Sequence, residues 1–347
     1  MIGNMVYSVL CLIVLVVLVL PFTNKKVERN LEIFLFVMGI LSVLVSNQMT
    51  FELVLKALEE PAMIAAAVLV FGLLFKKHND SIAEAIHHIQ QLVPHKILVF
   101  LIVVVLGLIS SLITAIIAAL FLVEIVGVLK LNRKNEIALT IITCFSIGLG
   151  SALTPIGEPL ATIVVSKLGV DFWYLFRNFG IYIIPTVFAL GLFAAFFVSD
   201  KVAEEEISRN CESESYNDVI FRAFNVYLFV MALTFLGTGL KPVVDRFVLG
   251  LPSEILYWIN MISAVLDNAT LAAAEISDKM SSRQITAILM GLLISGGMLI
   301  LGNIPNIISA NKLDIPSKEW AKVGVPLGLA IMLFFSVPLM SIFLLWR

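Results

Sequence analysis

The segment Leu153-Thr154-Pro155-Ile156-Gly157-Glu158-Pro159 places a polar, proline-containing break inside a long apolar stretch, and Gly302-Asn303-Ile304-Pro305-Asn306 does the same further along the chain. Glu158 and Asn303 lie 145 residues apart. The same offset superposes further residues: Gly157 on Gly302, and Lys167-Leu168 on Lys312-Leu313. Unwound backbone in lipid is tolerated only where it lines a cavity. Matching broken helices in two halves therefore predict a transporter with its substrate site at the breaks.

A second pair of similar segments lies upstream of these breaks. Ser110-Ser111-Leu112-Ile113-Thr114 matches the run from Ser263 to Asn268 at an offset of 153 residues, which places Thr114 at the position of Asp267. The two pairs together predict that the chain consists of two diverged copies of one membrane unit.

The composition independently indicates a membrane protein. The chain has 60% hydrophobic and 14% charged residues, with a mean hydropathy of +1.03, which is far more apolar than a soluble domain requires. The net charge of −2 and the lack of a basic tract argue against a nucleic-acid partner. The three cysteines have no metal or disulfide spacing, and we expect no resident cofactor. The N-terminal apolar run, 6–20, lacks signal-peptide features and is interpreted as a first transmembrane helix.

Apolar runs of spanning length predict an all-α integral membrane protein. We expect helices over 3–20, 31–47, 62–75, 178–198, 219–240 and 323–346, and discontinuous helices over 136–168 and 285–311. Segment 97–129 is too long for one span and is polar near its middle, so it is either a re-entrant hairpin or one long tilted helix. Segment 252–275 is its counterpart, with a tip near 263–270.

The distribution of basic residues predicts the orientation. If both hairpins return to their own side, the loops 21–30, 76–96, 130–135, 199–222 and 312–322 share one face of the membrane. They hold 15 of the 23 basic residues, namely Lys25, Lys26, Arg29, Lys76, Lys77, Lys96, Lys130, Arg133, Lys134, Lys201, Arg209, Arg222, Lys312, Lys318 and Lys322. By the positive-inside rule this face is cytoplasmic, so both termini of a multi-pass plasma-membrane protein lie outside. The hairpins then enter from opposite sides, as two inverted-topology repeats require.

Two polar stretches separate or flank these units. Residues 199–218 form an acidic linker, predicted to be cytoplasmic, between a first half over 1–198 and a second half over 219–347. Residues 78–95 carry all four histidines on an expected surface helix. Their spacing matches no zinc motif, and solvent-facing histidines are the more common explanation than a pH sensor.

Two intramembrane acids are the main candidates for ion binding. Asp267 lies within an apolar segment, eight residues before Glu275, which we expect to approach the exit of the hairpin. Glu158 lies between Gly157 and Pro159 in the first break. An intramembrane carboxylate is costly unless it is paired, hydrated or protonated, so each is a functional candidate and a candidate sodium ligand. Proton and metal ion would compete for the same oxygen atoms.

Neutral oxygen ligands surround these acids in the sequence. Carbonyls freed by the prolines, together with side-chain oxygens, suit sodium-like ions. The side chains are Thr154, Asn268, Asn303, Asn306, Ser263 and, at the place of Asp267 in the first copy, Thr114. The structural alternative is that the Asp267-Asn268 pair only caps a helix and that Glu158 only shapes its break.

These motifs resemble the ion transporter superfamily. The strings from Ser263 to Thr270 and from Leu153 to Pro159, with Gly302 to Asn306 and Trp320 to Pro326, are most similar to NhaD-type sodium/proton antiporters and to a related family of predicted cation transporters. The resemblance covers residues 30–345 and implies inverted repeats, two hairpins, two discontinuous helices, and a homodimer with elevator-type movement. The chain departs from the pattern because Thr114-Ala115 stands where NhaD-type relatives tend to have an acidic or amide pair.

The resulting prediction is a secondary transporter for a monovalent cation, with sodium exchanged against protons. The rival within transport is a cation-coupled carrier of an organic anion, such as a di- or tricarboxylate, or of an oxyanion. The two acids and the lack of Arg or Lys within the tips favour a cation. We expect no enzyme, because an intramembrane enzyme would need a nucleophile or metal constellation at membrane depth and the histidines all lie in one loop. A channel is disfavoured because the two-fold repeat offers no selectivity-filter ring. The expected partners are the lipid bilayer and a small inorganic ion.

Overall fold

The structure, a computed structural model, describes residues 2–345 except 25, 28–29, 60, 63–64, 67, 71–72, 75–76, 78–91, 199–215, 248–250, 265–267 and 277–279. The described residues form α-helices joined by short connections and two 3₁₀ turns, without a β-strand among them. The prediction of an all-helical fold is confirmed for these residues.

The helices are numbered here along the chain. In the first half they are α1 (Ile2–Thr23), α2 (Leu31–Val45), α3 (His95–Ile113), α4 (Ala115–Leu129), α5 (Arg133–Ser151), α6 (Pro159–Leu168) and α7 (Tyr174–Phe197). The second half contains α8 (Tyr216–Phe247), α9 (Ser253–Ile259), α10 (Asn268–Glu275), α11 (Ser282–Gly296), α12 (Ile304–Lys312) and α13 (Ser317–Leu345). The 3₁₀ turns are Asn260–Ala264 and Ile300–Gly302.

Among the described residues, four helical segments are long and apolar enough to cross a membrane. They are His95–Ile113, Tyr174–Phe197, Val219–Phe247 and Ser317–Ser336. The outer surface of α7 illustrates why a bilayer suits them, since Ile181 and Phe196 are 74% and 76% exposed. Large apolar side chains at that exposure are costly in water and favourable in lipid.

The segment over 97–129 is broken at Thr114 and does not form one long helix. Thr114 has φ 79° and ψ 150°, α3 ends at Ile113, and α4 begins at Ala115. The Thr114 side chain accepts a hydrogen bond from the Ile117 N–H at 3.4 Å and so caps α4. A β-branched residue at positive φ is strained, which marks the break as a constrained position.

The structure differs from the sequence-based prediction at three other places. A helix over 51–59 was not predicted, because Glu52, Lys56 and Glu59 interrupt its hydropathy while only Leu53 and Ala57 are buried. His95 begins α3, so it does not belong to the predicted surface helix, whose residues 78–91 lie outside the described part. Helix α8 begins at Tyr216, three residues before the predicted start of the second half at 219.

The two discontinuous helices break at equivalent positions. α5 ends at Ser151 and α6 begins at Pro159, while α11 ends at Gly296 and α12 begins at Ile304, so both boundaries obey the 145-residue offset. The residue before each second half-helix is extended, with φ −154° and ψ 158° at one break, and φ −156° and ψ 147° at the other. We call 95–169 the first copy and 251–314 the second copy.

Glycine allows each break to fold back on the preceding helix end. A Cβ atom on Gly157 would lie 1.9 Å from the Ser151 carbonyl oxygen, and one on Gly302 would lie 2.4 Å from the Gly296 carbonyl oxygen. Both distances are shorter than any real Cβ contact. The glycines are therefore required by the same close approach in both copies.

One interhelical hydrogen bond is also shared by the copies. The Ser110 hydroxyl on α3 donates to the Ile147 carbonyl of α5 at 3.2 Å, and the Ser263 hydroxyl donates to the Leu292 carbonyl of α11 at 3.1 Å. Ile147 and Leu292 are again 145 residues apart. The Ser-Ser and Ser-Ala motifs thus fasten the segment before each tip to the first half of the broken helix.

In each copy, the helix after the tip packs against the second half-helix of the other copy. α4 packs against α12, and α10 packs against α6. At the ends of these pairs, Lys312 Nζ lies 3.7 Å from Glu124 Oε1, and Lys167 Nζ donates to the Ile276 carbonyl at 3.3 Å. The two lysines that match at the 145-residue offset therefore both lie at contacts between the two halves of the chain.

Candidate functional site

The first break holds a buried carboxylate at the start of a half-helix. Glu158 is 5% exposed and precedes Pro159, the first residue of α6, and its side chain does not cap the helix. The Ala115 N–H at the start of α4 donates to the Gly157 carbonyl at 2.8 Å. The tip at Thr114 is therefore joined directly to the residue before Glu158.

Thr154 belongs to the same cluster. Its side chain is buried, and its hydroxyl donates to the Ser111 carbonyl of α3. The structure thus brings together three of the predicted site residues, Thr114, Thr154 and Glu158, around one break.

The second break places an amide at the position of that carboxylate. Asn303 is 5% exposed, and its side chain does not cap α12. A Cβ atom on Gly148 of α5 would lie 2.7 Å from Asn303 Nδ2, so the amide lies directly against the first copy. A Cβ atom on Gly297 would lie 2.5 Å from the Phe145 ring. The second break therefore meets the last turns of the first discontinuous helix.

Two more amides converge on the end of α11. Asn306 is fully buried and donates to the carbonyls of Gly296 at 2.8 Å and Leu299 at 2.9 Å. Asn268 is 3% exposed, and its Nδ2 lies 3.6 Å from the position of a Cβ on Gly296. Neither Asn306 Oδ1 nor Asn268 Nδ2 makes a hydrogen bond within the described ranges. The cluster retains an oxygen able to serve a ligand.

The last two predicted site residues are Ser263, which the structure describes, and Asp267, which it does not. Ser263 is fully buried, and besides the Leu292 carbonyl its hydroxyl contacts the Ser295 hydroxyl at 2.6 Å, which ties the 3₁₀ turn to α11. Asp267 lies outside the described residues, between that turn and α10. The residue after it, Asn268, begins α10 and lies beside Gly296 at the end of α11.

The donor set defines which chemistry the site supports. Carboxylate, amide and carbonyl oxygens are hard ligands of the kind that alkali and alkaline-earth ions prefer. The start of a helix carries partial positive charge, which favours a negative side chain such as that of Glu158. In the parts of the chain that are described, no three His, Cys, Asp or Glu side chains cluster as a transition-metal site would require.

The structure adds two buried polar residues that the sequence did not single out as ligands. Glu275, expected near the exit of its segment, is 1% exposed, and Asn260 is fully buried. An acid within an apolar stretch was visible in the sequence, but its packing beside Asn260 depends on how α10 lies against the 3₁₀ turn.

The family comparison covers nearly the whole chain. A family model described as a protein of unknown function, DUF1646, matches residues 7–342, and the chain belongs to that family. No curated protein matches the sequence.

Proposed function

We propose that the protein is a secondary active transporter that exchanges a monovalent cation, sodium above others, for protons. The observation that carries this proposal is the pair of equivalent helix breaks, each entering its second half-helix through a buried polar residue, Glu158 in one copy and Asn303 in the other. Irregular backbone at membrane depth is tolerated where it lines a cavity or ion path.

The ion site in this proposal spans both copies. Glu158 and Asp267 supply one carboxylate each, while Asn268, Asn303 and Asn306 supply amide oxygens. The packing of Asn303 against Gly148 supports this arrangement because it brings the second break to the first copy. Sodium would displace protons from the carboxylates, and proton return would release sodium on the other side.

We further propose that the two copies have opposite orientations in the membrane and move as an elevator. Reciprocal packing of α4 on α12 and of α10 on α6 supports a two-fold relation between them. The excess of basic residues on one inferred face supports an axis in the membrane plane, since the tips at Thr114 and Asp267 then enter from opposite sides.

One observation favours the rival function, a cation-coupled carrier of an organic anion. α6 and α12 both begin at a break, and their amino-terminal ends would attract negative charge. At α12 the neutral Asn303 leaves this charge uncompensated by its own side chain, whereas at α6 Glu158 already supplies a negative group. The carboxylate therefore favours a cation.

Proton flux in proteoliposomes separates the two functions. With sodium, lithium or potassium as the only added solute, an antiporter moves protons, and its apparent affinity for the ion strengthens as pH rises because fewer protons compete. Glu158→Gln cannot titrate and should weaken that pH dependence while keeping the shape of the side chain.

Citrate and a dicarboxylate provide the opposing arm of the same experiment. If either carboxylate drives transport and no monovalent cation alone moves protons, antiport is wrong and the anion carrier is correct. Wild-type pH dependence in Glu158→Gln would remove Glu158 from the site and leave it as a residue that shapes the break.

A further inference from the structure

A buried carboxyl group faces a buried amide away from the two breaks. Glu275 at the end of α10 is 1% exposed, and Asn260 in the 3₁₀ turn before the tip is fully buried. The two side chains face each other. Within the described residues, the two carboxylate oxygens of Glu275 make no hydrogen bond of normal geometry. The same holds for the amide oxygen and nitrogen of Asn260.

An ionised carboxylate is a poor occupant of this position. Burying a charge without a hydrogen bond costs several kcal/mol. A neutral carboxylic acid has one O–H donor and one C=O acceptor, and an amide presents the complementary acceptor and donor. An adjustment of two side chains would therefore satisfy both groups if Glu275 carries a proton.

We propose that Glu275 and Asn260 form a proton-binding site in the second copy, separate from the helix breaks. The proton bonds to a Glu275 carboxylate oxygen, is supplied by hydronium, and returns to water on release. The inference goes beyond the proposed cation exchange, because binding of this proton requires no transported ion.

Among the described residues, the elements packed against α10 place no second acid beside Glu275. On α6, Lys167 donates to the carbonyl of Ile276, the residue after Glu275. On α8, Lys241, Asp245 and Arg246 are exposed, and the 3₁₀ turn has no charged residue. On α11, Arg283 lies eight residues before Gly291, whose Cβ position is 3.1 Å from Asn260, so it is about 12 Å away along the helix.

The first copy shows that the fold does not require these polar groups. By the 153-residue offset, Glu275 corresponds to Leu122 and Asn260 to Gly107, while the backbone of both copies is fastened by equivalent serines. The Ser295 hydroxyl holds the Asn260 carbonyl at 2.7 Å without using the Asn260 side chain. The acid and amide are thus additions to a frame that forms without them.

Infrared spectroscopy of the purified full chain detects the proton directly. A neutral carboxylic acid has a carbonyl stretching band that an ionised one lacks. We expect a component of this band that Glu275→Gln removes and the control Glu254→Gln on α9 retains. Absence of a Glu275-dependent component would overturn the inference. So would loss of that component on adding sodium at constant pH, because the ligand of Glu275 would then be a metal ion.

Two further variants keep the test decisive if Glu275→Gln does not fold. Asn260→Ala leaves the acid in place and should shift its band to higher frequency, since the acid loses its acceptor; an unshifted band would contradict the pairing. The double variant Asn260→Gly with Glu275→Leu carries the first-copy residues. Because the folded wild type retains a proton that the unfolded chain releases, its stability should fall as pH rises. An unchanged pH slope in the double variant would refute the site.

Discussion

The first and second copies have matching helix breaks but place their buried acids on different elements. Both breaks have the same boundaries, the same extended residue before the second half-helix and the same glycine contact. The first copy has its buried acid at the break, Glu158, and an apolar Leu122 in α4. The second copy has an amide at the break, Asn303, a buried acid at the end of α10, Glu275, and Asp267 directly before α10 in the sequence.

This difference separates two kinds of constraint. Backbone at a break needs the same close approaches and hydrogen bonds in both copies, because unsatisfied groups are costly in a membrane. The backbone does not require ionisable side chains at these positions. We therefore infer that their unequal distribution between the copies reflects function. A site composed of one acid from each copy is therefore asymmetric even though its frame is repeated.

The largest effect on the shared frame is expected from filling the glycine contacts. Gly157→Ala places a Cβ against the rigid Ser151 carbonyl and should cost about 1–3 kcal/mol of stability, with a smaller loss for Gly302→Ala because its contact is less tight. The unfolding temperatures of the two variants, measured in the same detergent, show which variant loses more stability.

Gly127→Ala in α4 is the matched control, since nothing lies within 4 Å of its Cβ position. It should be at least as stable as the wild type, because alanine is favoured over glycine inside a helix. If Gly157→Ala unfolds at the same temperature as this control, the first break does not have the described backbone.

A smaller effect is expected from the equivalent serines. Ser110→Ala removes a hydroxyl whose proton is shared between the Ile147 carbonyl of α5 and the Gly107 carbonyl of its own helix. It should cost about 0.6 kcal/mol, the average for interhelical bonds in membranes. Ser263→Ala also loses the contact with Ser295, so we expect about 1–2 kcal/mol.

Thr286→Ala provides the reference for the serines, because the Thr286 hydroxyl donates to Ser282 within α11 and joins no other helix. Unfolding in denaturant ranks the three variants. A larger loss for Ser110→Ala than for Ser263→Ala would show that the second copy is not the more strongly fastened one.

Much of the frame is predictable from the sequence for a physical reason. Breaks need proline, glycine and polar residues within apolar runs, so the motifs at Glu158 and Asn303 locate both breaks. The broken helices themselves begin three residues earlier than predicted, at Arg133 and Ser282. The hydropathy pattern also finds the spanning helices. It misses the helix over 51–59, whose charged residues lie on its exposed side.

The pairing of side chains across the copies is harder to predict. Asn303 meets Gly148, and Asn268 meets Gly296, only because distant elements cross. The sequence identified Glu275 as an acid but not its burial beside Asn260, since that depends on packing between α10 and a turn. Contacts at large sequence separation leave no local pattern.

The most direct test of the central claim is sodium-driven proton flux in Asp267→Asn, with Asp245→Asn, an exposed acid on α8, as the control. Asn can cap a helix but cannot titrate. The account predicts that folded Asp267→Asn moves no protons in response to sodium, while Asp245→Asn retains transport. Wild-type flux in folded Asp267→Asn would contradict the account and reduce Asp267 to a helix cap.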